Sequence, residues 1–152
     1  MKVAFDSPHN AQVLAYLARD IKPEGLTSMS RGEYKGYYYA WTHPDLSDQF
    51  WTLAGSLTAS QWVLYERAVL IHPETGIIFG FAGGTGTIAL RLPPDDLAEA
   101  FADPKYGRSV NYKPPSYASE IGDDWAFINP FGGDNGVQRW FQSAHDYAGT
   151  LE

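Results

Sequence analysis

The chain has no cysteine, only two methionines and a shortage of positive charge. Without thiols there is no disulfide framework and no thiolate nucleophile, which suits a reducing compartment, so a cytoplasmic location is the expectation. A membrane helix needs about 20 consecutive apolar residues, and turn residues interrupt the longest apolar stretches here. The first residues lack a basic segment followed by an apolar core, so no secretory leader is expected. Lys and Arg number 11 against 18 Asp and Glu, a net charge of −7. The deficit is uneven: residues 1–94 carry seven cations and eight acids, residues 95–152 four and ten. Such a surface repels phosphate backbones and draws basic partners.

Catalytic signatures are missing as well. No G-x-S-x-G elbow or HExxH pair occurs, and His9, His43, His72 and His145 stand at no ligand spacing. Residues 84–89, GTGTIA, match a dinucleotide-binding fingerprint only superficially, because that motif must open a helix and these residues lead into a strand-like alternation. A hairpin turn is the better reading. The paired carboxylates have local explanations. Asp95 and Asp96 complement a helix start, and Asp123 and Asp124 sit at a turn where aspartates bond their own backbone. No cofactor and no metal are expected, and a non-catalytic role is favoured over an enzymatic one.

What the sequence does contain is a core. In 152 residues, 44% are hydrophobic and 15% aromatic, enough for a single domain spanning 1–152. Its organising stretch is 63–93, VLYERAVLIHPETGIIFGFAGGTGTIALRLP. The residues 63–71, 77–82 and 87–92 read as three strands joined by turns at 72–76 and 83–86. Links this short hold antiparallel neighbours only. Alternation puts Ile88, Leu90 and Leu92 on one face and Arg91 on the other. The expected fold is α+β: an antiparallel sheet of four to six strands built on the meander at 63–92, with helices mostly packed on one face.

Flanking segments extend this plan. Ser7 and Pro8 open a first helix with Val13, Leu14, Leu17 and Ile21 inward. Residues 34–42 read as a strand added to the meander, with Tyr37, Tyr39 and Trp41 on one side. A second helix starts at Asp45 or Ser47, and a third follows Pro94. Residues 103–119 show no pattern. Residues 125–129 form a short strand, and Asp134 or Asn135 caps a last helix with Val137, Trp140, Phe141, Ala144 and Ala148 inward.

From about residue 66 the order of elements resembles the MmcQ/YjbR-like family. The corresponding pieces are 77–82, 88–91, 93–102, 125–128 and the last helix with Asp146 and Tyr147. The resemblance implies a small α+β fold and DNA binding through basic loops. The acidic second half departs from that pattern, since binding by counterion release needs cations. Lys105, Arg108 and Lys113 are the residues that nucleic acid would use.

The leading functional expectation is therefore a non-catalytic protein-binding module, of the kind that inhibits a basic effector as immunity proteins and antitoxins do. Its interface residues would be the acids Asp123, Asp124 and Asp134 with the loop tyrosines Tyr106, Tyr112 and Tyr117 as anchors. Asp123→Lys with Asp124→Lys is expected to leave the fold intact. An alternative interface is Tyr37, Tyr39 and Trp41, and a small-ligand or enzymatic pocket between the sheet and residues 34–41 is a further reading.

Overall fold

The computed structural model describes residues 6–36, 39, 42–83, 86–102, 116–128 and 137–151. Six strands form one antiparallel sheet in simple sequence order. They are β1 (Ser28–Ser30), β2 (Gln61–Leu64), β3 (Arg67–Ile71), β4 (Ile78–Gly83), β5 (Thr87–Arg91) and β6 (Trp125–Ile128). Among the described residues four helices accompany them: α1 (Ala11–Ala18), α2 (Pro44–Leu53), α3 (Pro94–Ala102) and α4 (Val137–Thr150). The class is α+β, as the meander implies.

The two sheet faces bury different sets. Ile88, Leu90 and Leu92 join Leu70, Phe79, Ala126 and Ile128 under α2, α3 and α4, whose Phe50, Ala100, Trp140 and Phe141 fill that layer. Val69, Phe81, Ala89, Trp125 and Phe127 face the other way, where α1 covers them with Val13 and Leu17. Three helices thus lie on one face and one on the other. Gly80 sits where Leu70 and Leu90 meet, and a methyl group there would lie 3.0 Å from Leu90 and 3.1 Å from Leu70. Beside it the β3–β4 register shifts: Leu70 pairs with Gly80 but Ile71 with Ile78, leaving Phe79 as the extra residue.

Several expectations need correction. Residues 63–71 are not one strand but parts of two, joined at Tyr65 and Glu66 with φ of 53° and 60°. Both sit in the left-handed region that hairpin turns of two residues require, without the usual Asn or Gly. The strand next to β2 is β1, three residues long, and not the 34–42 segment. Within that segment only an isolated bridge joins Tyr39 to Thr42 among the described residues. Helix α2 is capped by neither Asp45 nor Ser47. The Asp45 amide donates to His43 Nδ1 at 3.1 Å, and Pro44 occupies the first helical position. Ser7 caps not α1 itself but the short 3-10 turn Pro8–Asn10 that leads into it, accepting from the His9 amide at 3.3 Å. The expected cap at Asp134 or Asn135 lies outside the described residues.

The register makes Leu90 a central member of the three-helix face, fully buried and opposite Gly80 and Ala126. Leu90→Ala should lower the unfolding free energy by about 2–5 kcal/mol in urea titration. A loss below about 0.5 kcal/mol would mean that the register is slipped by one residue.

Candidate functional site

The site grows from one end of the sheet, where β5 finishes, β6 begins and the β3–β4 turn comes round. Arg91 closes β5 on the α1 face, and α1 makes that face interior. Its side chain is only 4% exposed. The guanidinium donates from Nε to the Ile78 carbonyl at 3.0 Å and from Nη2 to the His9 carbonyl at 2.9 Å. Nη1 stands 3.4 Å from Asp124 Oδ2, and the group lies over the Trp125 ring, 4.8 Å from its centroid. Burial pulls the guanidinium below its ordinary value, and the Asp124 charge opposes that pull.

A second buried polar residue fastens the same end. Asn10 accepts from the Ile78 amide at 2.9 Å and donates to the Gly76 carbonyl at 2.8 Å. Its amide side chain thus extends the pairing of β4 as another strand would. Sequence reading passed over both residues. The available signal for Arg91 was a lone cation between two buried leucines on the strand most central to the pattern.

Around this framework acids reach the surface. Asp123 is exposed and Asp124 has a 32% exposed side chain. Together with Leu92, Pro94 and Leu97 they line a groove of about 370 Å³. On the other side of the Pro93–Pro94 step, Pro93, Asp96, Ser143, Asp146, Tyr147 and Thr150 line a second groove of about 530 Å³. The Ser143 hydroxyl donates to Asp96, tying α4 to the first turn of α3. Burial raises the Tyr147 phenol above its ordinary value, and Asp124 pushes the same way while Arg91 opposes, so the two grooves share one electrostatic neighbourhood.

Two histidines meet behind the second groove. His72 and His145, distant in sequence, stack with ring centroids 4.7 Å apart, and Phe79 presents an edge to His145 at 5.7 Å. His145 Nδ1 lies 3.0 Å from Asp146 Oδ1. That hydrogen bond is the main reason the Asp146 carboxyl falls below the usual range; burial opposes it, and Gln142 adds a second bond. His72 is held below the ordinary histidine value by burial first and then by His145, with Glu74 and Asp146 opposing. Among the described residues no group of three His, Asp or Glu side chains converges as a metal site.

The expected interface residues are scattered. Asp123 and Asp124 do line one groove, but with different standing, because Asp124 is the partner of buried Arg91. Tyr117 is a correction. It is 6% exposed, within ring contact of Tyr16, Phe81 and Phe127, and belongs to the core instead of a partner surface. Tyr106, Tyr112 and Asp134, the cations Lys105, Arg108 and Lys113, and Tyr37 and Trp41 lie outside the described residues. Tyr39 is half-buried. Its hydroxyl accepts from Trp51 Nε1 at 3.1 Å, and Tyr34 packs on it at 5.0 Å. Beside this cluster Arg31, Asp48, Trp51 and Thr52 line a third groove of about 270 Å³, with Arg31 over the Trp51 ring.

No family model matches the chain, and no curated protein or solved structure matches it either. The likeness to the MmcQ/YjbR-like family accordingly rests on element order alone. No helix among the described residues is long and apolar enough to cross a membrane.

The two aspartates have unequal roles, so reversing their charges should cost stability unequally. Asp124→Lys places a cation against a buried guanidinium. It should cost about 1–3 kcal/mol, less than the ~3–5 of a fully buried pair because Asp124 is partly solvated. Asp123→Lys should cost under about 0.5 kcal/mol, as an exposed substitution does. Urea unfolding of the two single variants separates them, and equal losses would show that Arg91 does not depend on Asp124.

Proposed function

We propose that the chain is a non-catalytic protein-binding module of the cytoplasm, which docks a basic partner at the end of its sheet and inhibits it by occupying that partner's cationic surface. The observation that carries this reading is the pairing of apolar floor and acidic rim. Leu92, Pro94 and Leu97 offer hydrocarbon to the stem of an arginine or lysine, while Asp123 meets its charged head and the solvated part of Asp124 adds negative charge beside it. Asp96 and Asp146 continue the acidic rim into the neighbouring groove. Four carboxylates around this end of the sheet favour encounter with a cationic surface and disfavour a phosphate backbone.

Chemical catalysis has less in its favour. The acids of this face are solvated or already bonded, whereas a general acid at neutral pH needs a desolvated carboxyl with a raised pKa. Arg91 is committed to three acceptors and an aromatic ring.

A tetra-arginine peptide serves as probe, with tetraglutamate as control, in an amide-resolved NMR titration at near-physiological salt. Arginine should shift Leu92, Leu97, Asp123 and Asp124, and Asp123→Lys should weaken that binding severalfold without unfolding the protein. Shifts confined to other surfaces, or equal binding by the Asp123→Lys variant, would contradict this placement of the interface.

A further inference from the structure

The stacked histidines do more than fill space behind the second groove. His72 follows β3 and opens the turn whose Glu74 and Thr75 amides both donate to its Nδ1, at 3.2 and 3.3 Å. The same turn grips α4: the Thr75 hydroxyl donates to the Ala148 carbonyl at 3.0 Å. On the other edge of the ring, His72 Nε2 packs so closely on Gly149 that a methyl group at position 149 would lie 2.9 Å away. His72 is 7% exposed. The ring therefore joins the β3–β4 turn to the last two turns of α4, which carry Asp146, Tyr147 and Thr150 of the second groove.

We propose that His72 is a proton-operated latch: neutral, it clamps the C-terminal part of α4 to the β3–β4 turn; protonated, it releases that part of the helix and with it the groove. The groove's role in docking rests on the function proposed above, but the latch does not.

The chemistry follows from which atom holds the proton. A neutral imidazole has one acceptor nitrogen, and here that nitrogen is Nδ1, since two amides point at it. Protonation turns Nδ1 into a donor facing two donors, so both amide bonds are lost. It also places an imidazolium against the stacked His145. The titratable groups facing His72 are His145 and Asp146 on α4 and Glu74 in its own turn. Burial and His145 outweigh the two acids, holding the ring below the ordinary value of about 6.5. The sign is then fixed. The unfolded chain takes up the proton before the closed latch does, so the latch is fully present above about pH 6.5 and is lost as pH falls through the lowered value.

Amide hydrogen exchange and NMR titration of the free protein between pH 7.5 and 5 test this. After correction for intrinsic rates, Glu74, Thr75 and the last turns of α4 should exchange faster in acid. The gain should be about tenfold for each pH unit by which the folded ring is depressed. Its midpoint should coincide with titration of the His72 ring. His72→Asn supplies an oxygen near the Nδ1 position that accepts without titrating, so its α4 exchange should be flat over the same range. Equal acceleration in wild type and His72→Asn would overturn the latch, as would an exchange midpoint that follows another group. Tetra-arginine titrations at the two pH values read the docking role separately. Wild type should bind more weakly in acid and His72→Asn equally at both. If the peptide binds at neither pH while exchange behaves as stated, the docking reading fails and the latch stands.

Discussion

A guanidinium taken out of water must find acceptors for its donors, and Arg91 finds them on three separate pieces of chain. Removing such a charge from solvent costs several kcal/mol, and only well-aligned hydrogen bonds and a nearby anion offset the cost. Ile78 supplies one carbonyl from β4, His9 another from the segment before α1, and Asp124 a carboxylate from the turn before β6. Trp125, paired with Arg91 across the sheet, lends its ring face. None of these partners can move far without stranding a buried charge. Arg91 thus sets the register of β4, β5 and β6 at this end and fixes where α1 lies over them.

The surface consequences follow from that anchoring. Asp124 turns inward to the guanidinium, so Asp123, one residue earlier, is left outward at the lip of the groove. The Leu92 amide donates to the Asp124 carbonyl at 2.8 Å, which holds the acidic turn against the start of α3. On the opposite sheet face α4 meets the same end, and the bond between Ser143 and Asp96 joins it to α3. Acidic side chains from three segments that are remote in sequence therefore gather around one end of the sheet.

The meander was legible because periodicity reports burial directly. Residues 87–92 alternate, and Ile88, Leu90 and Leu92 do face the three-helix layer. Helices α1, α3 and α4 were legible from their apolar stripes, and α1 from Ser7 and Pro8 as well. The hairpin at Tyr65 and Glu66 was hidden because neither residue belongs to the usual left-handed formers. Strand β1, Ser-Met-Ser, is too short and polar to show an alternation, and among the described residues it pairs only with β2. Tyr117 looked like a loop tyrosine because the chain around it is irregular, yet burial depends on what lies opposite, here Tyr16, Phe81 and Phe127. Of the acidic site, the Asp123–Asp124 turn was visible. Its inequality was not, because Arg91 reads as the outward member of an alternating strand unless α1 is known to cover it. The His72–His145 stack was illegible for a related reason: no local spacing connects the end of β3 to the last turns of α4.

The geometry of the Arg91 guanidinium, beyond its charge, organises the sheet end. Urea unfolding of Arg91→Lys against wild type tests it most directly. Lysine keeps the charge but cannot reach three divergent acceptors. The variant should lose about 2 kcal/mol or more, the order expected when buried acceptors lose their partners, with amide shifts concentrated at His9, Ile78 and Asp124. A loss below about 0.5 kcal/mol, with those amides unmoved, would contradict it.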